Sequence, residues 1–256
     1  MAIGSFDMRS IPAALRSNTL YALIAANVSV FVAVAVFGIF DGGRMLAWLV
    51  LPSWLPSMLR QPWSVLSYMF VQTDVLHLLF NMLWLYCFGS ILLHVNGGRA
   101  LVRVYVAGGV AGAAVFAVSH AVYPAMGAAS LMGSSASVLA VAVAVAFDAP
   151  DMKLNLWPVG PVKIKWIVAA MVLLFCVGFT GSVSSTMAHA GGAVCGAVLG
   201  FARRRAWHWR SNRGSAPADL RAELDELLDK VKQSGYDALS RHDKRRLFEL
   251  SHKIKQ

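Results

Sequence analysis

AHAGGAVCGAVLG, residues 188–200, is the stretch on which the reading of this chain turns. It is a run of small apolar residues interrupted by one histidine, His189. Gly192, Gly196 and Gly200 recur every fourth residue, a spacing that lets a second helix approach closely inside a membrane. His189, Gly192 and Gly196 share one helical face at i, i+3 and i+7. An imidazole is costly in lipid, so this face should point into a bundle. An upstream run offers the complementary stripe, Ala136, Ala140 and Ala144, directly after the cluster GSSAS at 133–137. Contact between the two runs would set Ser135 beside His189.

The composition fits a membrane setting. Of 256 residues, 57% are hydrophobic and 14% are charged, against about 25% charged in soluble domains. The mean hydropathy is +0.59. Six apolar runs, at about 18–40, 76–95, 100–122, 131–148, 162–180 and 186–202, approach the roughly 20 residues that cross a bilayer. The fold class read from this is all-α: a polytopic membrane protein. The first run is too long for a signal-peptide core and is read as a retained span. Cys87, Cys176 and Cys195 all lie in apolar runs without a CxxC pair, and read as packing thiols.

The net charge of +10 does not point to nucleic acid, because of where it sits. Residues 203–256 hold 14 Lys/Arg against 8 Asp/Glu, and the cluster opens as Arg203–Arg205 at a membrane exit. Arg9, Arg16, Arg99, Arg103, Lys153, Lys163 and Lys165 lie on the same side as that cluster, whereas the opposite loops carry only Arg44 and Arg60. The positive-inside bias places both termini in the cytoplasm.

The first loop, 41–75, contains Trp48, Trp54 and Trp63 with Pro52, Pro56 and Pro62, and is expected at the membrane interface. Four segments follow: a cytoplasmic N-terminal stretch, 1–17; a six-span membrane domain, 18–202; a basic linker, 203–218; and a cytoplasmic helical hairpin, 219–256. In the hairpin, Leu220, Leu224, Leu227, Leu228 and Val231 form one apolar stripe, and Leu247, Leu250 and Ile254 contribute to another. Gly235 marks the turn, and Ser240 with Asp243 resembles a capping box.

Topology gives the polar residues a depth. Spans two, four and six all run from outside to inside. His77 and, one turn deeper, Asn81 stand near the outer end of span two. Ser135 stands near the outer end of span four, and His189 a few residues into span six. His120 lies at a span's end and is expected close to water. A hydroxyl becomes a useful nucleophile when an imidazole accepts its proton. Gly133 would permit a tight turn that leaves Ser135 at a helix N-terminus, where free N–H groups can stabilise an oxyanion. Asn81 and His77 could add side-chain donors. The one carboxylate within the spans, Asp148, lies at the opposite, inner end of span four, so the catalytic unit would be a dyad.

These residues resemble the rhomboid family of intramembrane serine proteases. The matching stretches are HLLFN (77–81), GSSA (133–136) and AHAGG (188–192), in order on spans two, four and six, preceded by QPWSVLSYMF (61–70). The resemblance covers about residues 18–202 and implies a six-helix rhomboid bundle. By match it makes Ser135 the nucleophile and His189 the general base. His77, Asn81 and the Ser135 N–H, with Gly133 in support, would form the oxyanion site. It implies cleavage of membrane-anchored proteins within or near the bilayer, with no metal or other cofactor and no nucleic-acid partner. Similar tails on some bacterial rhomboids point to a bacterial inner membrane. The sequence departs from the family pattern where Ala136 follows the serine, where Gln72 takes a place often held by His, and where Leu139 takes one often held by Tyr. Two alternatives are a catalytically dead, client-binding member and a metal site or transporter built on His77 and His189. Retention of both Ser135 and His189 separates the first from an active protease. The lack of HExxH, of a carboxylate near the outer ends of the spans and of an inverted repeat argues against the second.

Overall fold

A computed structural model of the chain describes residues 18–156, 158, 160–176, 182–214 and 218–255. The expected N-terminal segment 1–17, the end of the fifth apolar run at 177–180 and linker residues 215–217 lie outside the described residues. The chain divides between Ala202 and Arg203 into two compact units.

The first unit opens with α1, Asn18–Asp41, a 24-residue apolar helix. It stops where Gly42 and Gly43 take φ of +64° and +82°. The Asp41 carboxylate accepts the Gly43 and Met45 N–H groups, each at 2.8 Å. Those bonds start α2, Arg44–Leu49, and the rest of the first loop forms β1 (Leu51–Pro52), α3 (Leu55–Arg60) and α4 (Ser64–Ser67). Trp48 and Trp63 stack with centroids 5.2 Å apart, and Trp63 Nε1–H donates to the Trp48 carbonyl at 2.8 Å. The prolines therefore punctuate a folded loop of short helices.

Asp74 caps α5, Val75–Asn96, by accepting the His77 N–H at 2.6 Å. Gly97 ends that helix and leads into α6, Gly98–Val122. The chain then forms β2 (Ser130–Leu131), α7 (Ser135–Asp148), a hairpin of β3 (Lys153–Leu156) and β4 (Gly160–Lys163), α8 (Ile164–Cys176) and α9 (Val183–Gly214). Beside the hairpin, the Lys165 and Lys163 ammonium groups lie 3.0 and 3.1 Å from the Asp151 carboxylate.

Helix α7 is the inner element, buried along Ser135–Val145 and packed against α5, α6 and α8. Small residues make this possible. A side-chain carbon added to Gly192 or Gly196 would run into the carbonyl oxygens of Ala136 and Ala140, and one on Gly200 would lie 3.0 Å from that of Ala144. The alanine stripe of α7 thus meets the glycine ladder of α9 backbone to backbone, in the register the spacing predicts. A second glycine face lies on α6. A carbon on Gly112 would lie 2.9 Å from Ala136 Cβ, and one on Gly191 of α9 would lie 2.6 Å from the Ala111 carbonyl oxygen.

Among the described residues, four helices are long and apolar enough to cross a membrane: α1, α5, α6 and, over Val183–Ala206, α9. The other two, α7 and α8, have 14 and 13 residues. The fourth apolar run opens as a strand, and its helix starts where the expected turn at Gly133 leaves Ser135. Leu131 pairs with Leu51 and Ser130 with Pro52 in an antiparallel two-stranded ladder, and the helix begins at Ser135. Helix α9 continues through Gly214, into the stretch read as a basic linker. The strands β1–β4 add two small ladders to a fold read as purely helical.

The second unit contains α10, Ala218–Ser234, and α11, Arg241–Lys255, joined through Gly235 at φ +83°. Leu227, Leu239 and Leu250 form its buried centre. Ser240 Oγ accepts the Asp243 N–H at 3.1 Å, so half of the capping box forms. The Arg246 guanidinium grips the Glu223 carboxylate with two bonds, 2.6 and 3.0 Å. Leu220 and Ile254 of the two stripes lie outside the residues whose side chains are described.

Candidate active site

Ser135 is the first residue of α7, and three features position it. The Gly133 N–H donates to the Tyr68 carbonyl at 3.0 Å. The β1–β2 ladder ties the incoming strand to the first loop. Gly133 itself adopts φ +115°, which side-chain-bearing residues rarely take. The first helical bond of α7 runs from the Val138 N–H to the Ser134 carbonyl at 2.8 Å. The N–H groups of Ser135, Ala136 and Ser137 therefore precede the helical ladder and point out of the helix end.

His189 is held one turn into α9 by the glycine ladder below it. Ser135 and His189 meet at 2.7 Å between Oγ and Nε2, and both are buried, at 8% and 5% exposure. On its other side, His189 Nδ1 lies 3.2 Å from the main-chain carbonyl of Phe175, in the last turn of α8. The Phe175 ring meets the imidazole edge-on, with centroids 4.9 Å apart and planes at 79°. The aromatic neighbour of the histidine thus comes from α8 and not from position 139, where Leu139 is buried in the core.

His77 and Gly133 border the same small space as the serine. A carbon added to Gly133 would meet His77 Cε1 at 3.2 Å and Ser135 Oγ at 3.8 Å. Asn81 is buried, and its amide donates to Gln72 Oε1 at 3.0 Å. Gln72 Nε2 in turn faces Asn27 Oδ1 and Ser134 Oγ, both at 3.3 Å. Asn27 donates to Tyr105 Oη at 3.0 Å, and that hydroxyl donates to the Met69 carbonyl at 3.0 Å. A buried chain of amides and hydroxyls therefore runs beneath the site from α1 to α7. The three serines of 133–137 divide the work: Ser134 faces Gln72, Ser135 faces His189, and Ser137 Oγ faces Met69 Sδ at 3.9 Å.

Sequence reasoning missed Asn27, Tyr105 and Phe175. Asn27 left a signal, as a lone amide in a long apolar helix. Phe175 left none, because its polar contact is made by its backbone. His120, expected close to water, stands at the end of α6 beside a cavity lined by Ser53, Trp54 and Pro124. It is 7% exposed, with Nδ1 at 2.9 Å from the Phe116 carbonyl and Nε2 at 3.2 Å from Ser184 Oγ.

A nucleophile-forming hydroxyl, an imidazole in contact with it and a helix N-terminus at the same point fit acyl transfer. Comparison with known proteins agrees. A sequence model of the Rhomboid domain matches residues 59–206. Residues 218–253 match a Family of unknown function (DUF6576). No curated protein matches the chain. The Rhomboid match spans more than half of the 256 residues, and the chain is a multi-pass membrane protein that belongs to the rhomboid family of intramembrane serine proteases.

Proposed function

We propose that the protein is an active intramembrane serine endopeptidase with Ser135 as nucleophile and His189 as general base. The observation that supports this reading is the 2.7 Å contact between Ser135 Oγ and His189 Nε2. The Ser135 hydroxyl gives its proton to Nε2 while Oγ attacks the scissile carbonyl. The developing oxyanion takes the Ser135 N–H, His77 and the second N–H of the Asn81 amide as donors. The imidazolium returns its proton to the leaving amine, and water then hydrolyses the acyl-enzyme. Because a fully hydrogen-bonded helix hides its carbonyls, the substrate segment must unwind before attack. The substrates are transmembrane or membrane-anchored proteins.

The same reading makes α7 and α8 the fourth and fifth of six spans. Both termini face the cytoplasm of a bacterial cell, with the 219–256 hairpin on that side of the inner membrane. A serine-directed fluorophosphonate probe, applied in mild detergent to wild type, Ser135→Ala and His189→Ala, tests the reading. Labelling of wild type alone is expected. Equal labelling of Ser135→Ala would sink the mechanism. Absence of labelling in folded wild type, beside a labelled rhomboid control, would favour a client-binding protein.

A further inference from the structure

We propose that the main-chain carbonyl of Phe175, on α8, completes the catalytic unit in place of the missing acidic residue. It fixes the His189 proton on Nδ1 and stabilises the imidazolium formed when Ser135 is deprotonated. This inference rests on the dyad reading above.

The chemistry follows from the two contacts of the ring. A neutral imidazole carries one proton, and the opposite nitrogen accepts. The carbonyl 3.2 Å from Nδ1 has no proton to give. The contact therefore selects the Nδ1–H form and leaves Nε2 to accept from Ser135 Oγ. In the Nε2–H form, the bare Nδ1 would face the carbonyl oxygen, acceptor against acceptor, and Ser135 Oγ would have to accept rather than donate. Triad enzymes use a carboxylate for this selection, and the wrong tautomer is costly there.

Phe175 makes two contacts with the imidazole: its carbonyl faces Nδ1 at 3.2 Å and its ring meets the imidazole edge-on. A hydrogen bond strengthens when its donor becomes charged, so the carbonyl contact favours the imidazolium that appears during proton transfer. Phe175 acts as a positioning residue, through its backbone and, by the edge-on ring, through its side chain.

The test reads the tautomer directly. In wild-type protein in lipid bilayers, solid-state nitrogen NMR of labelled histidine, assigned by comparison with His189→Gln, is expected to show His189 protonated at Nδ1 and bare at Nε2. Replacing Cys176 by its α-hydroxy analogue turns the Phe175–Cys176 amide into an ester, whose carbonyl is a weaker acceptor. That variant is expected to raise the Nε2–H population. It should also slow fluorophosphonate labelling by about 5–30-fold, the worth of most of one hydrogen bond, with the half-saturating probe concentration unchanged. The same exchange one residue earlier, weakening the Leu174 carbonyl, should leave both readouts as in wild type. A wild-type His189 protonated at Nε2 would overturn the proposal without any variant. An ester at 176 with wild-type tautomer and rate would overturn it too. Wild-type protein that shows Nδ1–H yet never labels would support the role of the carbonyl and count against the dyad reading itself.

Discussion

Replacing Gly133 by alanine probes how the chain aims its serine. Two costs add at this position. The backbone has φ +115°, a region whose occupation by a side-chain-bearing residue costs about 1–3 kcal/mol. The new methyl would also sit 3.2 Å from His77 Cε1 and 3.8 Å from Ser135 Oγ, in the space where a substrate carbonyl oxygen must fit. Relief requires the turn before α7 to move, and Ser135 moves with it. A displacement near 1 Å at reacting atoms costs about 100-fold in rate. Gly133→Ala is therefore expected to lose about 2 kcal/mol of stability and 10–100-fold in fluorophosphonate labelling rate. Gly127→Ala is the control. Gly127 also has positive φ, +76°, but an added carbon meets nothing within 4 Å. That variant should show the stability loss and keep its labelling. Thermal unfolding and labelling kinetics measured on the same preparations separate the two effects. If Gly133→Ala labels at the wild-type rate with wild-type stability, the turn does not aim the serine and the reasoning fails.

Asn27→Leu removes the amide that links Tyr105 to Gln72, and the stranded buried groups should cost about 1–3 kcal/mol. Unchanged thermal stability would show that the network is slack. Gly192→Ala drives a methyl into the Ala136 carbonyl; it should lower stability by about 1–3 kcal/mol and separate Ser135 from His189, whereas Gly38→Ala, in open space, should be neutral in a melting comparison. The Lys165 and Lys163 side chains hold the Asp151 carboxyl below its usual range. A carboxylate depressed in the folded state stabilises it above the unfolded value of about 3.9, and that contribution disappears as pH falls through the folded value. Asp151→Asn should thus melt slightly lower than wild type at pH 7, with the gap closing in acid; a gap that widens in acid contradicts the pairing.

The pairing of α7 with α9 was legible because its cause is periodic. Alanines at 136, 140 and 144 face glycines at 192, 196 and 200, and both stripes follow the helical repeat. The proximity of Ser135 and His189 follows from that stripe. Other features carry no periodic mark. The two-residue ladder between Leu51–Pro52 and Ser130–Leu131 is too short to leave an alternating pattern. Gln72 could be noticed as unusual, but its partners Asn27, Asn81 and Ser134 come from three different helices. The Phe175 carbonyl is invisible to any reading of side chains.

The separation of Ser135 and His189 along the chain, 54 residues, also bears on when the protein acquires its chemistry. At about 5–20 residues per second, a ribosome needs roughly 3–10 seconds to go from one to the other. The imidazole arrives on the last of the apolar helices, and its seat needs the α8 end and the α7 stripe already in place. With Ser135 and His189 as the proposed dyad, the hydroxyl has no base throughout synthesis and insertion, when unrelated nascent helices crowd the same insertion machinery. A chain truncated before α9 should be inert for the same reason, so on this proposal the order of translation protects the membrane that receives the protein.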